Sequence, residues 1–169
     1  MDGQQHPSTT VGESKRFRIP VYRVALVRER SLTQLERPQI RDAQSAAATL
    51  SAYLAEEDRE HLVVLLLNNK NRVIGINTVS IGSLTSSLAH PREVFKPAIL
   101  ANAAAIIVAH NHPSGEPQPS QEDVELTQRL HAAADLLGIK LLDHIILGEN
   151  GCWYSFQEDR RMVQGPTQP

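Results

Sequence analysis

The sequence predicts a mixed α/β domain, a sheet with helices packed around it. Three observations support that class. Residues 61–68 and 104–109 are short, nearly continuous apolar runs of strand length, and 140–147 (KLLDHIIL) reads as a third. Residues 41–57 and 120–137 carry apolar side chains at helical spacing. Turn-forming residues separate these segments: Asn68-Asn69-Lys70-Asn71, Gly138 and Glu149-Asn150-Gly151.

Each element has its own justification. Residues 1–15 are rich in Gly, Ser, Thr and Gln and predict a disordered tail that includes a solvated His6. Residues 17–29 (FRIPVYRVALVRE) alternate roughly and contain β-branched side chains, which predicts a strand, with Pro20 placing its start near an edge. The Ala-rich stretch 41–57 brings Leu50, Tyr53 and Leu54 onto one side of a helix. Residues 61–68 and 72–81 form a hairpin about the Asn-rich turn. Pro91 suits the first turn of a helix, followed by Glu93 and an apolar face running to Ala103, with Pro97 early enough to be tolerated or to kink it. A strand over 104–109 ends on a pair of histidines. Ser120 begins a helix with Leu126, Leu130, Ala133 and Leu137 as its stripe and Gly138 as its C-cap. Strands follow over 140–147 and, more briefly, over 153–156. A single domain is expected over 16–158, between tails at 1–15 and 159–169.

The bulk properties narrow the function. The 169 residues suffice for one domain with a real core. The formal net charge of −2 does not indicate a nucleic-acid surface. Arg16, Arg18, Arg23, Arg28 and Arg30 make the N-terminal part locally basic, and a solvated strand face is the preferred reading over a nucleic-acid patch. Cys152 is the one cysteine. It permits no intramolecular disulfide, fits a reducing compartment, excludes a Cys-rich structural zinc site, and reads as a small packed side chain. With no apolar leader and no run of about 18 apolar residues, the chain is expected to be soluble and cytoplasmic, without a membrane partner.

The informative stretch is His110-Asn111-His112-Pro113-Ser114-Gly115 followed by Pro119-Ser120 and Asp123. Residues two apart at a strand end project to one face, so His110 and His112 can converge on one ion. Pro113 and Gly115 force a turn, and the loop delivers Ser120 and Asp123 to the first turn of the next helix. Three ligands and an open position describe catalytic zinc. The competing reading is a helix cap, Ser120-x-x-Asp123 with Asp in place of the usual Glu or Gln, beside two unremarkable histidines.

His-x-His, ten intervening residues and then Asp, with Ser three before it, resembles the pattern of the JAMM (MPN+) metalloproteases. The fuller set is Pro91-Arg92-Glu93-Val94-Phe95, the string from His110 to Gly115, Pro119-Ser120, Asp123 and Leu142-Asp143-His144. It resembles the RadC-like branch of that family over about residues 20–157. Full-length RadC proteins carry an N-terminal helix-hairpin-helix region, and this sequence reads as a short form without it. The resemblance implies a JAB/MPN α-β-α sandwich with a mixed, largely antiparallel sheet. It implies one Zn2+ held by His110, His112 and Asp123, and an upstream glutamate as general base.

Glu60, just before the strand 61–68, fits the family spacing for that base. Glu93 is the rival, with first-turn helix complementarity as its ordinary reading; Glu56 and Glu116 are weaker. Glu60 and His110 can share a site only if their strands run antiparallel or loops bring them together. Ser120 would donate to a developing oxyanion, or serve as the cap alone. His144 reads either as a buried, hydrogen-bonded histidine or as a partner of a metal ligand. His61, His90 and His131 read as structural.

The function this implies is zinc-dependent hydrolysis of an amide or isopeptide bond in a peptide or protein substrate. The alternative is a DNA-repair or mobile-element accessory protein whose metal domain binds a partner, protein or nucleic acid. Near-neutral charge and the missing helix-hairpin-helix weigh against direct DNA binding. A zinc nucleobase deaminase would need His-x-Glu and a downstream Pro-Cys-x-x-Cys, which one cysteine excludes.

Overall fold

Strand β1, His61–Leu67, is buried at every position. Successive side chains of a strand point to opposite faces, so both faces of β1 must be covered. That explains why its sequence is continuously apolar and not alternating. In the computed structural model, which describes residues 23, 25–29, 38–54, 57–82 and 90–160, β1 lies inside a five-stranded sheet. The other strands are β2 (Val73–Ile81), β3 (Ala105–Asn111), β4 (Lys140–Leu147) and β5 (Trp153–Ser155), in the order β2-β1-β3-β4-β5. The pairs β2/β1, β1/β3 and β4/β5 are antiparallel, and β3/β4 is parallel.

Helices cover both faces. Helix α1 (Ala43–Leu54) buries Ala46, Ala47 and Leu50 against Val63, Leu65, Ile107 and Ala109. On the other face α2 (Pro91–Leu100) and α3 (Gln121–Leu137) bury Val94, Phe95, Leu126 and Leu130 against Leu62, Val64, Ile106 and Val108. The result is an α-β-α sandwich with one apolar layer on each side of the sheet. Burial of each Leu or Ile side chain stabilises by roughly 1.5–3 kcal/mol.

Local chemistry sets the element ends. Asp42 Oδ1 accepts the Ser45 N–H at 2.7 Å, and Ser45 Oγ accepts the Asp42 N–H at 3.2 Å, closing the start of α1. Pro91 sits in the first turn of α2, and His90 caps it by accepting from Arg92 N–H. Gly138 ends α3 in the left-handed conformation at φ 67°. The hairpin turn uses Asn68 Oδ1 to accept from the N–H groups of Lys70 and Arg72, with Asn71 at φ 53°. No helix among the described residues is long and apolar enough to cross a membrane.

Several expectations need correction, and some fall outside the described residues. Residues 23 and 25–29 are exposed and form no strand; the rest of 17–29, like the tail at 1–15 and all but Asp159 and Arg160 of the tail at 159–169, lies outside the described residues. Alternation alone gives a strand no neighbour to pair with. Helix α2 stops at Leu100, short of Ala103, because Asn102 turns left-handed (φ 51°) and Ala103 N–H bonds back to Ala98 O. Pro97 sits inside α2 without ending it. The buried stripe of α3 runs through Asp123, Leu126, Thr127, Leu130 and Ala134, while Leu137 is substantially exposed. Cys152 is exposed, because it follows the Glu149–Gly151 turn on the surface.

Ile106, fully buried, and Leu136, 88% exposed, give a direct contrast. Ile106→Ala should cost about 2–5 kcal/mol in urea unfolding. Leu136→Ala should stay within about 0.5 kcal/mol. Comparable losses at both positions would contradict the assignment of the core.

Candidate metal centre

The antiparallel β1/β3 register pairs Leu62 with His110. Each step back along β1 is a step forward along β3, so the same register sets Glu60 across from His112. Asn111 reinforces the alignment beyond the last strand pair. Its Oδ1 accepts the His61 N–H and its Nδ2 donates to Arg59 O, each at 2.8 Å, clasping the chain on both sides of Glu60. Among the described residues, Glu60, His110 and His112 offer ligand atoms that all lie within 4.8 Å of one another and could hold a metal ion.

Asp123 arrives from the other side, in the first turn of α3. Ser120 and Asp123 form a reciprocal capping box. Asp123 Oδ2 accepts from Ser120 N–H at 2.8 Å and from Ser120 Oγ–H at 2.7 Å, while Ser120 Oγ accepts from Asp123 N–H at 3.2 Å. Asp123 Oδ1 faces His110 Nε2 at 3.3 Å. Capping and approach to the histidines therefore coexist: Oδ2 carries the cap and lies on the His112 side, while Oδ1 faces His110. The Ser120 hydroxyl proton is directed at Asp123.

The two imidazoles meet at a short distance. His110 Nε2 and His112 Nε2 are 2.9 Å apart, and Asp123 Oδ2 is 3.7 Å from His112 Nε2. With metal–ligand distances of about 2.0–2.1 Å, donors of a tetrahedral centre stand roughly 3.3 Å from one another. The 2.9 Å between the imidazole nitrogens and the 3.3 Å from His110 Nε2 to Asp123 Oδ1 lie near that edge, while the 3.7 Å contact to His112 is made by the other carboxylate oxygen, Oδ2. Two imidazole nitrogens with carboxylate oxygens also form a suitable donor set for a borderline divalent ion.

The loop between His112 and α3 is packed, not loose. His112 Nδ1 lies 2.7 Å from Glu116 O, and a carbonyl only accepts, so Nδ1 carries the hydrogen and Nε2 faces the centre. Gly115 adopts φ 83°. Its carbonyl accepts from Glu149 N–H, and His112 N–H donates to Leu147 O, so the loop is tied to the end of β4. A side chain on Gly148 would come within 2.4 Å of Gly115 O, so only glycine permits this approach.

Burial and charge set the protonation states. Burial drives the pKa of His110 well below its ordinary value, aided by its neighbours His144 and His112. His144, fully enclosed, is pushed down to about 4 by burial and is neutral. His112 moves up, chiefly through its bond with Asp123, against partial burial. Burial alone would raise Asp123; its bonds and charge interactions with His112, His110 and Ser120 outweigh that and hold it well below the usual carboxylate range. Below its raised pKa, His112 carries a second proton in the space between the Nε2 atoms and the carboxylate that a cation would fill.

The structure brings together Glu60, His110, His112 and Asp123, with Ser120 holding Asp123. Glu93 lies elsewhere, on the first turn of α2, paired with Lys96 and with Arg92 at 3.6 Å. Glu116 contributes its backbone carbonyl to His112. Glu56 lies outside the described residues. Sequence reasoning missed Asn111, Thr127 and the Gly115–Gly148 contact. Thr127 had a signal: it follows Asp123 by four residues and so shares its helix face.

A cation must displace the His112 proton, which predicts a pH dependence. Above the raised His112 pKa, metal affinity should be level. Below it, affinity should fall about tenfold per pH unit, one proton per ion, because Asp123 is already ionised and His110 already neutral. Chelator competition across pH measures the slope; a flat profile through the His112 titration would contradict the site.

The family model described as the RadC-like JAB domain matches residues 40–162. A UPF0758 protein of Desulforudis audaxviator is 53% identical over 113 residues, 67% of this chain and 49% of the relative. One from Rubrobacter xylanophilus is 52% identical over 122 residues, 72% of this chain and 53% of its own. One from Moorella thermoacetica is 55% identical over 115 residues, 68% and 50% respectively. The chain thus spans about half the length of the curated relatives it matches. On the family match and these identities, the chain belongs to the RadC-like JAB domain family.

Proposed function

We propose that this domain is a zinc-dependent hydrolase of amide or isopeptide bonds, acting on a peptide or protein substrate in a reducing compartment such as the cytoplasm. One observation supports this most directly: the ligand atoms of Glu60, His110 and His112 lie within 4.8 Å of one another, and the Asp123 carboxylate stands beside both histidines, Oδ1 at 3.3 Å from His110 Nε2 and Oδ2 at 3.7 Å from His112 Nε2. Three protein ligands with a fourth position open is the arrangement of hydrolytic zinc.

A bound Zn2+ would supply a water of pKa lowered toward about 7 and would polarise a substrate carbonyl. The residues of the chain then divide the remaining work. Glu60 accepts the proton of the attacking water and returns it to the departing amine as the C–N bond breaks. Its backbone is fixed for this by the Asn111 clasp. Ser120 holds the Asp123 carboxylate; donation to an oxyanion would require its hydroxyl to turn away from Oδ2.

Elemental analysis and hydrolysis of a panel of peptide and isopeptide substrates test the proposal together. Wild-type protein and Glu60→Gln should each hold about one zinc per chain, and His112→Ala should hold none. Only the wild type should turn over, with a loss of about 100-fold or more in Glu60→Gln. Zinc binding with no turnover across the panel would favour a partner-binding domain. Undiminished turnover in Glu60→Gln would refute its role.

A further inference from the structure

Behind His110 lies a second layer of contacts. His110 Nδ1 meets His144 Nε2 at 3.0 Å. His144 Nδ1 meets Thr127 Oγ1 at 2.6 Å, and Thr127 Oγ1 donates to the backbone carbonyl of Asp123 at 2.7 Å. All three side chains are shielded from water, His110 and His144 at 0% exposure and Thr127 at 1%. No solvent molecule can replace a missing partner there, so hydrogen-bond direction has consequences.

The direction follows from the far end. A carbonyl oxygen has no hydrogen to give, so Thr127 must donate to it. A hydroxyl has one hydrogen, so towards His144 Thr127 can only accept. His144 Nδ1 therefore carries the hydrogen and Nε2 carries the lone pair. That lone pair accepts from His110 Nδ1–H. His110 Nε2 is left bare, facing Asp123 Oδ1 and His112 Nε2.

Three further features hold His144 in this role. The β3/β4 register shifts between Ile106 and Ile107, so that Ile106 pairs with Leu141 but Ile107 with Asp143. This bulge at Leu142 reverses the phase of β4. It puts Asp143 on the α1 side and His144, opposite Val108, on the side of the metal centre. The His144 ring also stacks on Phe156, with centroids 4.9 Å apart and planes 8° from parallel. Asp143 Oδ1 accepts the His144 N–H at 2.8 Å, fixing the backbone beneath the ring.

We propose that Thr127 and His144 are positioning residues that set the tautomer of His110. They do so through a one-way chain of hydrogen bonds that starts on the Asp123 carbonyl and presents His110 Nε2 unprotonated to the metal centre. The chain begins on the backbone of one ligand and ends on the ring of another, so it also couples their positions. The inference deepens the metal reading above and rests on it for its purpose, though the chain can be tested without metal. A histidine that only satisfied its own hydrogen bonds could take either direction; the carbonyl anchor removes that freedom.

The test compares wild type, Thr127→Val and Thr127→Ser. Multiple-bond 1H–15N spectra of the metal-free proteins report which nitrogen of His110 carries hydrogen. Zinc affinity is measured by chelator competition. Wild type and Thr127→Ser should show His110 protonated at Nδ1 and bare at Nε2. In Thr127→Val, His144 has no acceptor at Nδ1 and should move its hydrogen to Nε2, driving the His110 hydrogen onto its own Nε2. Zinc affinity should fall about tenfold to hundredfold in Thr127→Val and stay near wild type in Thr127→Ser.

Wild-type His110 protonated at Nε2 would overturn the proposal even if Thr127→Val failed to fold. So would a folded Thr127→Val with the wild-type tautomer, or a tautomer change without loss of zinc affinity. If wild type bound no zinc but showed the expected tautomers, the chain of hydrogen bonds would stand and the metal reading would be the one that failed.

Discussion

Two imidazole nitrogens are held 2.9 Å apart, each with its ring partner atom already committed. His112 gives its Nδ1 hydrogen to Glu116 O, and His110 gives its own to His144. Lone pairs that face each other at this range beside a carboxylate require a cation between them. A proton on His112 meets that requirement below its raised pKa, and a divalent ion meets it better because three donors bind it at once. The rest of the molecule maintains this otherwise unfavourable convergence of acceptors.

The sheet does most of that work. Antiparallel pairing of β1 and β3 sends one strand into the site where the other leaves it, so Glu60 and His112 share an edge. Parallel pairing of β3 and β4 requires a crossover, and α3 supplies it. A helix that starts where β3 ends must begin at the same edge, which brings the Ser120–Asp123 cap to the histidines. The cap and the candidate ligand are one device, since Oδ2 satisfies the helix N-terminus while Oδ1 faces His110. The glycine pair Gly115 and Gly148 then locks the intervening loop, which fixes His112 through the Glu116 carbonyl.

Much of this was legible in the sequence because short-range rules carry it. The spacing of His110 and His112 follows from the strand period, and Ser120-x-x-Asp123 is a local helix signal. The buried runs of β1 and β3 name themselves by composition. Interactions between distant segments were less legible. The bulge at Leu142 leaves no mark in the sequence KLLDHIIL, yet it decides whether His144 faces the site or the opposite layer. Whether His144 was an ordinary buried histidine or a ligand's partner therefore could not be decided from spacing. Residues 23 and 25–29 show the converse failure, since they belong to an alternating pattern but are exposed and lie in no strand. Cys152, read as packed beside Trp153, lies instead at the surface, because the preceding turn carries it outward.

X-ray absorption at the zinc edge of the reconstituted protein tests the convergence most directly. Two imidazole nitrogens and oxygen donors at about 2.0–2.2 Å, with no sulfur, are the result predicted from His110, His112 and Asp123. A sulfur shell near roughly 2.3 Å, placing the ion on Cys152, or a single imidazole, would contradict it.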